Sequence, residues 1–159
     1  MKKKILLLVC MALMSLGAFA QQDMMELGVK LNYGFDAPHA GIGVLGRYNL
    51  DEHFRPEVSA NFYPKNNGVS SWDISANLHY VFHPTQKFKV YPLGGLAIIG
   101  ANYDDNLIKV DGKTEVGFNL GGGIQYNINS ELHLNAELYY QNSNSYDRAI
   151  TNVSLVYVF

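Results

Sequence analysis

The sequence predicts an all-β fold: an eight-stranded antiparallel up-and-down transmembrane β-barrel. Three observations predict it. Apolar and polar residues alternate with period two in eight successive segments, the repeat of an extended strand with two different faces. The chain ends on Val153-Ser-Leu-Val-Tyr-Val-Phe159, where Val153, Leu155, Tyr157 and Phe159 share one face. Termini usually fray, so a terminal aromatic strand needs a partner, and a closed barrel supplies one by pairing its last strand with its first. The third observation is an export signal at the other end.

Residues 1–20 read as a cleaved signal peptide, and residues 21–159 as one outer-membrane β-barrel domain. Lys2-Lys-Lys4 is followed by the apolar run Ile5–Met14 and the small-x-small site Ala18-Phe19-Ala20, which places cleavage before Gln21. The apolar run is shorter than the roughly 20 residues of a spanning helix. Cys10 lies inside it behind Val9, an unsuitable place for lipidation.

The strands follow in order. In the first, Leu27, Val29, Leu31, Tyr33 and Phe35 oppose Glu26, Gly28, Lys30, Asn32 and Gly34. In the second, Ile42, Val44, Tyr48 and Leu50 oppose Gly43, Arg47 and Asn49; in the third, Phe54, Val58, Ala60 and Phe62 oppose Arg55, Glu57, Ser59 and Asn61. The fourth is the clearest: Trp72, Ile74, Ala76, Leu78, Tyr80 and Phe82 against Asp73, Ser75, Asn77, His79 and Val81. The fifth, Val90 to Ala101, is apolar on both faces and contains Pro92, which cannot donate to a ladder, so a bulge or a strand start is expected there. The sixth runs Glu115 to Ile128, the seventh Leu132 to Gln141, the eighth Ala149 to Phe159. Bacterial outer-membrane barrels have an even number of strands, and eight is even.

The connections alternate in length. Asn49–His53, His83–Lys87 and Asn127–Glu131 are tight, whereas Pro64–Ser71, Asn102–Lys113 and Asn142–Asp147 are long and polar. That parity fits short periplasmic turns, long external loops and periplasmic termini. Only the first loop, Asp36–Ala40, departs from it by being short.

A soluble barrel with its apolar face inside would give the same alternation. The aromatics separate the two. Trp72 and Tyr80/Phe82, Phe54 and Phe62, and Phe118 and Tyr126 stand at the ends of their strands with aliphatic residues between them. Two membrane interfaces select that arrangement; a soluble core does not.

Without residues 1–20 the chain carries nine basic against fourteen acidic residues, a net charge of −5, and no cysteine. It has no basic patch for nucleic acid and no thiols for redox chemistry.

The runs Val90-Tyr-Pro-Leu-Gly-Gly-Leu96 and Gly117-Phe-Asn-Leu-Gly-Gly-Gly-Ile-Gln-Tyr126, with Val153–Phe159, resemble the small outer-membrane β-barrel family of OmpX-like proteins and OmpA transmembrane domains, a porin-family barrel. The resemblance covers all of 21–159. It implies that Val153, Leu155, Tyr157 and Phe159 are a C-terminal insertion signature for the barrel-insertion machinery.

The polar face carries Glu26, Lys30, Arg47, Arg55, Glu57, Asp73, Glu115 and Glu137. An eight-stranded barrel is just wide enough for side chains to fill it, so these charges read as a structural plug, paired because buried charges must be. The weaker alternatives are a small-solute channel and a lipid-modifying enzyme. The enzyme would need a serine, a histidine and a carboxylate from Ser59, Ser75, Ser154, His79, His133, Glu137 and Asp73, which form no convincing triad pattern. Asp104, Asp105, Asn106 and Asp111 match no calcium loop, and His39, His53 and His83 look too scattered for zinc. The expectation is a monomeric, non-enzymatic barrel in the bacterial outer membrane, contacting lipid, needing no cofactor or metal, and working structurally or through its external loops.

Overall fold

The structure, a computed structural model, describes residues 25–35, 39–66, 69–105, 108–144 and 147–159. The expected signal peptide, 1–20, lies outside the described residues. Eight antiparallel strands, β1 (Met25–Gly34), β2 (His39–Tyr48), β3 (Phe54–Asn66), β4 (Val69–Tyr80), β5 (Phe88–Asp105), β6 (Ile108–Asn127), β7 (Leu132–Ser143) and β8 (Arg148–Val158), form a closed barrel in sequence order. The seam is the β1–β8 ladder, from Glu26 opposite Val158 to Gly34 opposite Ile150, with Phe159 N donating to Met25 O at 2.9 Å. Closure leaves no wall strand with an open edge at membrane depth, the condition for strands to cross lipid.

The wall is inside out relative to a soluble barrel. Leu31 and Leu120 are 67% and 65% exposed, whereas Arg55 and His79 are 1% and 0%. A soluble barrel would expose the charges and bury the leucines. The terminal residues Val153, Leu155, Tyr157 and Phe159 also face outward. Near the tight turns Phe54, Tyr80 and Phe82 touch edge to face at 5.1 and 5.0 Å, and Tyr157 meets Phe159 at 5.0 Å, giving one aromatic girdle.

Two expectations need correction. The segments 64–71, 102–113 and 142–147 are mostly not loops. β3, β4, β5 and β6 run on past the wall, pairing Asn66 with Val69, Val69 with Tyr103 and Asp105 with Ile108. Their polarity reports water around them; the backbone ladder does not need apolar side chains to continue.

Pro92 carries no bulge: the β5–β6 register runs unbroken from Phe88 to Ala101, and its irregularity lies between Ala101 and Tyr103. The cost falls on the other side. Phe82 and Val90 exchange two backbone bonds, so alternation makes Tyr80 opposite Pro92 the next bonded position. The continuous β4–β5 ladder ends one step away at His79–Leu93.

Two glycines make room for inward aromatic rings. A Cβ on Gly41 would lie 2.5 Å from the Tyr63 ring, and one on Gly123 would lie 2.7 Å from Tyr91 Cζ. A side chain at either position would push a ring out of the lumen.

Candidate functional site

Strand alternation sends odd and even positions to opposite sides, so the inner face is fixed once register is fixed. Glu26, Lys30, Arg47, Arg55, Glu57, Asp73 and Glu137 are all buried inside the barrel; Glu115 is half-buried near its far end and accepts from Ser143 Oγ at 3.1 Å. These groups do not form one cluster but two layers.

The layer nearer the tight turns centres on Arg47. Its Nε donates to Glu57 Oε2 at 2.6 Å, Nη2 to Glu137 Oε1 at 2.8 Å and Nη1 to Asn135 Oδ1 at 3.0 Å. Lys30 Nζ donates to Glu57 Oε1 at 2.7 Å and lies 3.5 Å from Glu137 Oε2. Tyr91 forms a shelf beneath: its hydroxyl donates to Glu137 Oε1 at 2.8 Å, its ring stacks on His79 at 4.6 Å, and the Arg55 guanidinium lies 4.7 Å above the ring centre. Arg55 donates to Gln125 Oε1 at 2.6 Å and points two nitrogens at His79 Nδ1, at 3.3 and 3.4 Å. Nδ1 is therefore the acceptor, and the ring proton belongs on Nε2. Glu26 lies 3.9 Å from both Arg47 and Arg55 and accepts from Asn49 at 2.9 Å.

The second layer centres on Arg148. It donates to Asp73 Oδ2 at 2.9 Å and Gln141 Oε1 at 2.9 Å, and it lies 4.3 Å from the Tyr63 ring centre. Asp73 Oδ1 also accepts from Asn61 at 2.8 Å and Ser75 at 3.0 Å, and Asn32 donates to Asn61 at 2.9 Å.

Among the described residues four buried cations (Lys30, Arg47, Arg55, Arg148) face four buried carboxylates (Glu26, Glu57, Asp73, Glu137). The balance is what makes so many buried charges tolerable in a lipid-wrapped shell. Sequence reasoning missed Arg148, because Asn142–Asp147 reads as a loop and the eighth strand seemed to start at Ala149. It also missed the buried tyrosines Tyr63, Tyr91 and Tyr139, which look like ordinary apolar strand residues. The signal was available: all three occupy odd positions, in phase with the charges.

Glu57, His79 and Glu137 bring ligand-type atoms within 4.8 Å of one another. They are poorly suited to a metal, since Lys30 and Arg47 already neutralise both carboxylates and would repel a divalent cation. Nor do the sequence's serines pair with histidine: Ser59 and Ser154 hydroxyls have no hydrogen-bond partner and Ser75 donates to Asp73. His53 and His83 are closer than their spacing suggests, with ring centres 6.3 Å apart at the turns. Partial burial and the neighbouring Lys89 hold His83 below the usual histidine range. The side chains of His39 and of residues 102–113, including Asp104, Asp105, Asn106 and Asp111, lie outside the described residues.

The sequence family described as "Outer membrane protein beta-barrel domain" matches residues 6–159. No curated protein sequence matches significantly. Among solved structures, the N-terminal barrel of Pseudomonas aeruginosa OprF is similar with a TM-score of 0.77 and 18% identity, covering 87% of this chain and 98% of that one. Neisserial surface protein A gives 0.68 and 15%, covering 85% and 96%. Ail, the attachment invasion locus protein of Yersinia pestis, gives 0.63 and 14%, covering 86% and 97%. At these identities the likeness is one of fold.

Proposed function

From the premise that this chain belongs to the outer-membrane β-barrel domain family, we propose that it is a plugged, non-enzymatic membrane anchor that presents a protruding sheet to partners at the cell surface. The observation that carries this reading is the mismatch in ladder lengths. β5 and β6 stay paired out to Asp105–Ile108, but β6 pairs with β7 only from Gly117 onward. On the other side β3 continues to Asn66, while its pairing with β2 ends at Ile42–Phe62. The four-stranded extension therefore has two backbone edges beyond the wall, along 108–116 and 63–66. An unpaired edge is a template for another strand, and proteins that keep one exposed run the risk of aggregation unless it is used.

Transport is the weaker reading. Arg47 and Arg148 each bridge across the lumen to side chains on other strands, so a solute would have to break several charge-assisted bonds. The names of the similar structures do not decide the matter, although Ail's includes attachment.

The test is to shorten the β5–β6 hairpin by removing 103–112 and measure binding of barrel-bearing cells or vesicles to host-surface and envelope components. Loss of binding with retained heat-dependent gel mobility is the expected result. Equal binding by the shortened barrel would remove the proposal, and discrete conductance steps in planar bilayers would replace it with transport.

A further inference from the structure

The lipid-facing wall is not uniformly filled. A groove of about 450 Å³ runs over β1–β3, with Ala60 as its shallow floor and Val29, Leu31, Ile42, Val44 and Phe62 as its sides. Ala60 is the small member of its row: Val44 and Ile74 stand opposite it on the neighbouring strands, and Val58 and Phe62 flank it along β3. The groove is continuous with the exposed apolar band, where Val29, Leu31, Ile42, Val44 and Phe62 are all solvent-accessible on the outer face.

We infer that this groove is a binding site for one acyl chain of an anionic lipid, in the leaflet on the side of the long hairpins. The occupant follows from placement and chemistry. At membrane depth the groove meets lipid rather than water, and its lining is almost wholly apolar, so it takes a hydrocarbon segment and not a headgroup. An apolar cavity of about 150 Å³ already binds a benzene-sized molecule, and this groove is larger and open along its length. Lipid tails are as apolar as leucine, so the preference comes from packing: wall atoms without neighbours lose dispersion contacts that a seated chain restores.

The leaflet follows from position along β3. Ala60 is two residues from Phe62 at the hairpin side and six from Phe54 in the turn-side girdle. The charge preference follows from Lys65, exposed on the same strand three residues beyond Phe62, at the level where a headgroup would lie. A smaller groove of about 180 Å³, bordered by Ala136, lies on the opposite wall and serves as the control.

The test is native mass spectrometry of the full chain released from nanodiscs of mixed zwitterionic and anionic phospholipid, with folding checked by heat-dependent gel mobility. The wild type is expected to retain one lipid, mostly anionic. Ala60→Trp should lower that occupancy about tenfold, Ala136→Trp should leave it unchanged, and Lys65→Glu should remove the anionic preference while a chain still binds. No retained lipid in the wild type, or equal retention by Ala60→Trp, overturns the inference; so does a dimer peak that Ala60→Trp abolishes, which would assign the groove to a second copy. Should Ala60→Trp fail to fold, the wild type decides by itself. Its single tryptophan, Trp72, pairs with Phe62 across β3–β4. Chain-brominated anionic lipid should quench it at mole fractions where brominated zwitterionic lipid does not, and equal quenching by both counts against the site.

Discussion

Removing one carboxylate from the lumen tests whether the buried charges act as a balanced set. Glu57 is the most informative choice, because it accepts from both Lys30 (2.7 Å) and Arg47 (2.6 Å). Glu57→Gln keeps the volume but leaves four buried cations against three carboxylates. Lys30 then has only Glu137, at 3.5 Å, and Arg47 keeps Glu137 at 2.8 Å. Breaking a buried pair by deleting one partner costs about 3–5 kcal/mol. Lys30→Met alone makes the opposite error and should cost a similar amount. The double variant restores balance at three against three, so its loss should fall below the sum of the singles by at least about 1.5 kcal/mol, the lower range for close charge pairs. Urea titration of the refolded barrel in lipid vesicles, with folded and unfolded forms separated by unboiled gel mobility, measures all four corners of the cycle. Strict additivity would refute the reasoning, and so would a Glu57→Gln barrel as stable as the wild type.

Other expectations are more local. Gly123→Ala places a methyl 2.7 Å from Tyr91 Cζ and 2.8 Å from Glu137 Cγ, so the urea midpoint should fall by the equivalent of about 1–3 kcal/mol. Tyr91→Phe removes the 2.8 Å bond to Glu137 while keeping the ring on His79, and should cost about 1–2 kcal/mol in the same titration. Phe159→Ala removes the edge-to-face partner of Tyr157, worth about 0.5–1.5 kcal/mol, and should lower the fraction of chains reaching the heat-modifiable form in the outer membrane. In the β2–β3 turn, Asp51 accepts from the backbone N–H groups of His53 and Phe54, both at 2.7 Å, and these bonds hold its carboxyl below its ordinary value. A depressed folded-state pKa contributes stability above the unfolded value near 3.8 and loses it as pH falls through the folded value. The gap between wild type and Asp51→Ala should therefore be full at pH 6 and close on acidification below about pH 4; a gap independent of pH would contradict the turn's role.

The sequence revealed the wall more fully than the contents of the lumen, for a physical reason. Alternation is a property of each strand alone, so Trp72–Phe82 declares its two faces without knowledge of its neighbours. Which inward groups meet depends on register between strands, and register is a property of pairs. Glu57 and Glu137 are far apart in sequence and carry no mark that Arg47 would bridge them. Strand ends were harder to see because polarity follows solvent, and solvent surrounds a paired ribbon as it does a loop. That hid the extension from Asn102 to Lys113 and, with it, the start of β8 at Arg148. Pro92 shows the complementary error. A missing donor was expected to distort the strand, whereas the strand kept its register with β6 and gave up a bond on the β4 side instead.

The two polar layers also explain why this lumen needs large neutral groups beside its charges. A guanidinium among carboxylates has two exposed faces that hydrogen bonds in its plane do not cover. Tyr91 covers Arg55, and Tyr63 covers Arg148, each by ring contact at under 5 Å. Gly123 and Gly41, on adjacent strands, leave the space in which those rings lie flat. Each buried arginine is thus held by carboxylate, amide and ring together, and the space for the ring is set by a glycine that carries no charge at all. Loss of Gly41 or Gly123 should consequently weaken the ion-pair layers without touching an ionisable residue, a coupling that a double-mutant cycle between Gly41→Ala and Arg148→Met can detect as a non-additive term.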